Sequence, residues 1–367
     1  MQVSDPHRTE LQEHTAAHNT VTVNGVAQKA TLDGNVEHFD DAGRVRIMDA
    51  EAPEVYAAQG VEEYKRTLVM VDANDDISYA VDFFHVVGGQ DHLYSFHALA
   101  KEAELSENVV IESQKDENGN YIGSYQGLDK EWGSSNIKGD EDGLGTYSWF
   151  GEVDRAVDPG DIDMFSMDWK IVDNDKVLKP AQKNLRVRLT MLNSFKLDEL
   201  TTTSCIPPQV YNALPKVPFL FARHTGENDG KTTEEKLDTL FTSVVEPYNK
   251  TRYISSIEKA NVTRADGAEF TMDEAKAVKV TLTNGRVDYI VYAKDKTIPY
   301  KVHYKTSGGG EASLEFCGFV GVVSMVNDKI TYSYVNDGTT IGDNLNLLPA
   351  LHPASSFLFY IGKVWTG

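Results

Sequence analysis

The chain has 367 residues, with 56 Asp and Glu against 35 Lys and Arg and a formal charge of −21 at pH 7. That balance excludes nucleic acid as a main partner, because phosphate binding needs a clustered excess of Lys and Arg and no such cluster occurs. A hydrophobic content of 41%, with 17 Tyr, 15 Phe and 4 Trp, excludes a disordered chain and predicts a packed core in one large or two ordinary domains.

Cys205 and Cys317 are too few for a disulfide framework and lack the paired spacing of a zinc ribbon, so both are read as small buried hydrophobes. Apolar runs such as Val217 to Ala222 fall far short of the roughly 18 residues of a membrane span, so no membrane partner is expected. Met1 is followed by neither a basic nor an apolar stretch, and no signal peptide is expected.

In chain order, Thr20 to Val23 alternates as a strand before Asn24-Gly25. Thr67 to Val71 and Tyr79 to Val87 suggest a strand pair joined by the polar stretch Asp72 to Asp76. Asp116 to Gly145, rich in Asn, Gly, Ser and Asp, predicts a long surface excursion. Its Asp140-Glu141-Asp142 run reads as a solvated acidic loop in preference to a calcium site, since the EF-hand spacing is missing. Thr232 to Leu240 predicts a helical turn or two, after which Leu240 to Val245 reads as strand. Lys279 to Leu282 and Val287 to Tyr292 form a predicted hairpin about Asn284-Gly285, and Val320 to Val326 with Ile330 to Val335 a second about Asn327-Asp328. Asn336-Asp337-Gly338 closes the next turn.

About twenty strand-like segments and hardly a helix predict an all-β protein, a large antiparallel β-sandwich of stacked sheets with a smaller β-sandwich at the C-terminal end. No fixed-period repeat points to a propeller or solenoid. The break near Pro247 to Ser256 divides residues 1–250, the central sandwich, from residues 251–367, the smaller domain.

Three stretches taken together carry a resemblance. The first runs from Asp5-Pro6-His7-Arg8 to Thr15-Ala16-Ala17-His18-Asn19-Thr20 and on to Gln28. The second is Tyr79 to Val87, Gly88-Gly89 and Asp91 to His97. The third is Phe219 to Arg223 followed by Leu240 to Tyr248. In this order and spacing they resemble the C-terminal β-sandwich region of heparinase II/III-type polysaccharide lyases, a family that includes oligoalginate lyases.

The resemblance implies β-elimination on a uronic-acid-containing polysaccharide. A base takes the C5 proton, an acid assists departure of the O4 leaving group, and the site neutralises the uronate carboxylate. It also implies that most catalytic residues lie in an N-terminal α/α toroid that this chain does not contain, so no catalytic residue is assigned here. Acidic polysaccharide and that toroid are the expected partners, and a periplasmic or extracellular location is expected by family analogy. A non-catalytic carbohydrate-binding module, or half of a split enzyme, is the alternative.

By the same resemblance, His18 is a ligand of a structural divalent metal, zinc by family habit, completed by a histidine and an aspartate from upstream. From its own sequence context, His18 reads instead as a histidine at the start of a strand, bonded to a neighbouring carbonyl; the resemblance brings the metal reading level with this for the intact enzyme, and for the isolated chain, which lacks the upstream ligands, the strand-entry reading leads and metal is not expected to be held. Extended spacing would put His14 and His18 roughly 13 Å apart, too far to form a cluster with His7. His7 and Arg8 are candidate contacts to a uronate carboxylate, Arg8 the better by its bidentate fork; a solvated terminus is the competing reading. His85, His92 and His97 are read as packing residues of a strand-turn-strand unit. Arg223 and Glu246, charges within apolar strands, suggest a buried structural pair.

Overall fold

The structure is a computed structural model that describes residues 11, 13–134, 145–172, 184–205, 216–227, 230, 235–271, 274–343 and 357–359. The fold is all-β, with 57% strand, 6% helix and three antiparallel sheets. The strands among the described residues are β1 (Val21–Val23), β2 (Asn35–Asp41), β3 (Val45–Glu51), β4 (Glu63–Asp72), β5 (Ser78–Val87), β6 (Asp91–His97), β7 (Ala100–Leu105), β8 (Ile111–Ser113), β9 (Phe150–Ala156), β10 (Met164–Ile171), β11 (Leu185–Leu192), β12 (Glu199–Cys205), β13 (Val217–Thr225), β14 (Asp238–Asn249), β15 (Ile254–Arg264), β16 (Ala275–Leu282), β17 (Arg286–Ala293), β18 (Tyr300–Lys305), β19 (Glu311–Cys317), β20 (Val320–Val326), β21 (Lys329–Asn336), β22 (Thr340–Gly342) and β23 (Phe357–Phe359). The sheets have the orders β1-β6-β13-β12-β9-β8, β2-β3-β4-β5-β14-β11-β10-β7 and β22-β19-β18-β15-β16-β17-β20-β21-β23.

Two compact units emerge. Unit 1 comprises Met1–Glu37, Ala50–Arg66 and Phe84–Lys250; unit 2 comprises His38–Asp49, Thr67–Phe83 and Thr251–Gly367.

In unit 1, side chains along each strand alternate between faces. Tyr94 and Phe96 of β6 and Leu220 and Ala222 of β13 enter one core with Phe165, Met167 and Trp169 of β10, Leu189 and Met191 of β11 and Phe241 of β14. Trp169 is fully buried, lies 5.3 Å from the Phe96 ring and donates its indole N–H to the Pro218 carbonyl at 2.9 Å. The alternate residues Leu93, Phe219 and Phe221 point the other way, into a second apolar layer with Tyr147, Trp149 and Phe150. Apolar cover on both faces is why Phe219-Leu220-Phe221-Ala222 reads as an unbroken apolar run.

The turn from β5 to β6 depends on two glycines in left-handed backbone, Gly88 at φ +104° and Gly89 at φ +78°. A Cβ on Gly88 would sit 2.2 Å from the Gly60 carbonyl oxygen, and one on Gly89 would sit 2.5 Å from Val23 Cγ1. Neither position has room for a side chain.

In unit 2 both expected hairpins form: β16 pairs with β17 and β20 with β21, the latter through Asn327 (φ +50°) and Asp328 (φ +60°) as a left-handed two-residue turn. Strand β15 pairs with β16 over Ile254–Ala260 and with β18 over Asn261–Arg264, so it changes partner midway. Tyr289, Val291 and Val323 thereby share a core with Val302, Leu314 and Phe316. Close approach requires Gly321, where a Cβ would lie 2.2 Å from Ile341 Cδ1. Buried Asp288 takes hydrogen bonds from Tyr79 Oη and Arg286 Nη2, both at 2.8 Å, and Arg286 also donates to the carbonyls of Asp72 and Ala73 at 2.7 and 3.1 Å.

Several expectations are corrected. The described part of Thr232 to Leu240 is not helical: residues 235–237 are irregular and β14 begins at Asp238, because the apolar alternation that follows extends the strand backwards. Cys205 is buried, whereas Cys317 is only half-buried, its thiol directed at the Lys296 carbonyl at 3.4 Å. The described part of the excursion, up to residue 134, is built of turns; Asp140-Glu141-Asp142 lies outside the described residues.

Gly88→Ala is expected to destabilise unit 1 by roughly 2–4 kcal/mol, read as a lower urea midpoint, since the substitution combines left-handed strain with a backbone clash. In unit 2, His38 bonds Asp49 at 2.9 Å and Asp337 at 3.2 Å and stacks on Phe319. The Asp49 hydrogen bond, opposed by burial and helped by Asp337, raises its pKa. Its contribution to stability is complete below the unfolded-state value of about 6.5 and is lost as pH rises through the folded value. Calorimetry against pH should show that loss, and His38→Gln should remove it.

Candidate functional site

The six-stranded sheet of unit 1 carries a row of alternating charges on its outer face. The register sets Arg223 directly opposite Leu93 on one side and Glu199 on the other, and Thr201 opposite Arg155. Asp91, Arg223, Glu199 and Arg155 therefore project to the same side from β6, β13, β12 and β9. Arg223 grips Asp91 bidentately, Nε to Oδ1 at 2.9 Å and Nη2 to Oδ2 at 2.8 Å. Its Nη1 is 4.0 Å from Glu199, which in turn lies 3.5 Å from Arg155 Nε. Arg155 also donates to the Gln114 side-chain oxygen at 2.6 Å. The Asp91 hydrogen bond holds the Arg223 pKa well above its usual value.

Along this row lies an open cavity of about 350 Å³, lined also by Tyr125, Gln126, Gly127 and Tyr147. The loop that carries Tyr125 to Gly127 is pinned by the Tyr125 amide, which donates to the Phe150 carbonyl at 2.7 Å, and by Gly123, where a Cβ would lie 2.5 Å from the Gly127 carbonyl oxygen. The Arg155 guanidinium sits 5.6 Å from the Tyr125 ring centre. Burial pushes the hydroxyls of Tyr125 and Tyr147 well above the usual tyrosine range. The Tyr147 hydroxyl has the Thr22 side chain as a neighbour but makes no hydrogen bond of normal geometry among the described residues.

This site was not singled out in the sequence. The partner of Arg223 is Asp91 and not Glu246, which is buried on β14 and stands opposite Arg188. The available signal was a charged residue two positions from an outward aromatic or leucine, as in Asp91 beside Leu93 and Arg223 beside Phe221.

His7 and Arg8 lie outside the described residues. His14 and His18 do not sit on one extended strand, because Thr15–Ala17 is a 3-10 turn whose first amide bonds are captured locally: the Ala16 amide donates to His14 Nδ1 at 3.1 Å and the His18 amide to the Thr15 carbonyl at 3.0 Å. His14 is buried and His18 exposed. The chain at Asn19 is tied to β6 through the Asn19 side chain and the backbone of His97, at 2.8 and 3.1 Å. Burial and then the neighbouring His18 push His97 down to about 4. Two imidazoles fall short of the three or four ligands of a zinc site, and among the described residues His18 belongs to no group of three potential ligands. Glu37, His38 and Asp49 bring potential ligand atoms within 4.8 Å of one another; both His38 nitrogens are engaged by carboxylates and Asp49 accepts from Thr67 Oγ1 at 2.7 Å, an arrangement that also suits an imidazolium.

The other histidines are built into packing. His85 lies between Glu63 at 2.6 Å and Asp238 at 2.8 Å. His92 Nε2–H donates to the Gly88 carbonyl at 2.7 Å, so its Nδ1 accepts from Thr239 Oγ1 at 2.8 Å, and Thr239 in turn accepts from His224 Nδ1 at 2.8 Å.

No known family profile and no curated protein matches the chain. Among solved structures, it is similar to a heparinase III gene product at 10% identity and a TM-score of 0.38, over 80% of this chain. The chain spans 32% of that protein's length. No helix among the described residues is long and apolar enough to cross a membrane.

Burial holds His92 near 4, so it stays neutral in the fold while the unfolded state gains a proton below about 6.5. Unit 1 is therefore expected to lose on the order of 3 kcal/mol between those two values as pH falls. Thermal midpoints against pH test this, and Thr239→Val should cost about 1–3 kcal/mol at neutral pH by leaving both imidazoles short of a partner.

Proposed function

We propose that the chain is the β-sandwich part of a polysaccharide lyase acting on a uronic-acid-containing polysaccharide of the heparin, heparan sulfate or alginate type, and that it is catalytically incomplete alone. The supporting observation is the assembly of the three resembling stretches. Tyr94 of the second stretch pairs with Val21 of the first and Ala222 of the third, so β1, β6 and β13 are neighbours in one sheet.

The chemistry of the described residues agrees with incompleteness. β-Elimination needs a base near neutrality and an unengaged cation for the carboxylate. Tyr125 and Tyr147 have hydroxyls too hard to deprotonate for that purpose, and the cavity arginines are already held by Asp91 and Glu199. Base, acid and carboxylate clamp would come from an α/α toroid, with Arg8 and His7 as further contacts. His18 would serve a structural zinc only with ligands additional to those described. An exported enzyme, periplasmic or extracellular, fits this reading.

The cavity favours a second reading, glycan binding without catalysis. The two separate by assay. The purified chain is expected to give no rise in unsaturated-uronate absorbance on heparin, heparan sulfate or alginate; turnover would overturn incompleteness. An in-frame or neighbouring toroid in the genome is the expected companion, and finding neither would sink the lyase reading.

A further inference from the structure

We propose that the cavity along the charge row of unit 1 binds a single neutral pyranose residue. This rests on the glycan-binding reading and is independent of β-elimination.

Four features support it. First, the cavity's charges cancel: two guanidinium groups face two carboxylates, and Arg223 is bidentate to Asp91. A uronate or sulfate would have to compete with these half-buried carboxylates for the guanidinium groups and lie beside the one it displaced, exchanging one like ion pair for another without net gain. A hydroxyl needs no such displacement, because it donates to a carboxylate and accepts from a guanidinium at once. Second, the row alternates acceptor and donor on adjacent strands, about 4.8 Å apart, a spacing that vicinal ring hydroxyls can bridge. Third, Tyr125 and Tyr147 supply aromatic surface for the apolar C–H face of a sugar, and the Gln126 amide adds both donor and acceptor. Fourth, about 350 Å³ lies at the small end of ligand sites, enough for one ring and not for a polymer segment.

The test is titration of the full chain, followed by calorimetry and by amide chemical shifts, with methyl glycosides of glucose, galactose and mannose and with glucuronate and galacturonate, each at low and high salt. At least one neutral glycoside should saturate with a millimolar Kd that is insensitive to salt. The corresponding uronate should bind at least about tenfold more weakly. Gln126→Ala, on the lining loop, and Tyr125→Leu should each weaken the neutral sugar about tenfold, with unchanged melting for Gln126→Ala even if Tyr125→Leu unfolds. Absence of saturation by every neutral glycoside would overturn the proposal. So would tighter, salt-dependent uronate binding, or neutral-sugar binding indifferent to Gln126→Ala. Turnover in the lyase assay bears on the other reading alone.

Discussion

The pairing register of β13 between β6 and β12 is the constraint on which unit 1 depends. With Ala222 opposite Tyr94 and Arg223 opposite Leu93, the even positions of β13 enter the sandwich core and the odd ones enter the outer layer. A slip of one residue would exchange the two sets, placing Arg223 in the core and Leu220 among the outer charges. Apolar cover on both faces gives little discrimination between registers from hydrophobicity alone, since Phe219 and Leu220 are equally content on either side. The charges decide it: Arg223 has acidic partners on one face only. An ion pair of modest strength on a partly exposed face thus specifies register while contributing little net stability.

A similar logic governs unit 2, where a buried charge organises segments far apart in sequence. Asp288 is fully buried and is made tolerable by Arg286 and Tyr79, and burial with the Asp288 charge raises the Tyr79 hydroxyl pKa. Arg286 then satisfies the carbonyls of Asp72 and Ala73 at the end of β4. Removing one member would strand the others in a medium of low dielectric, so the network acts as a unit.

Much of the fold was legible because its signals are local. Asn-Gly and Asn-Asp punctuation marked the hairpins β16–β17 and β20–β21, and period-two alternation marked the strands between. The site was less legible, for reasons equally physical. Arg223 and Asp91 are 132 residues apart, and their meeting follows from a non-local register that no local pattern encodes. The turn Thr15–Ala17 was missed because it is one residue triplet stabilised by His14 accepting from an amide, a role histidine seldom signals in sequence. Likewise, in the described part of Thr232 to Leu240, strand β14 begins at Asp238, where the apolar alternation that follows outweighs a weak helical preference.

Electrostatics link these observations to function. For a chain of −21 to bind a polyanion, it would need cations not already consumed by its own acids. In the outer cavity each arginine has a carboxylate neighbour, and on β11 Arg186 and Arg188 converge on Asp168, with Tyr248 donating to the same carboxylate at 2.5 Å. Among the described residues of unit 1, Arg155, Arg186, Arg188 and Arg223 are thus spent on register and sheet cohesion. Recognition of an acidic sugar would then fall to groups outside these clusters, while a neutral ring, which competes with no ion pair, is the ligand such a surface can accept without dismantling itself.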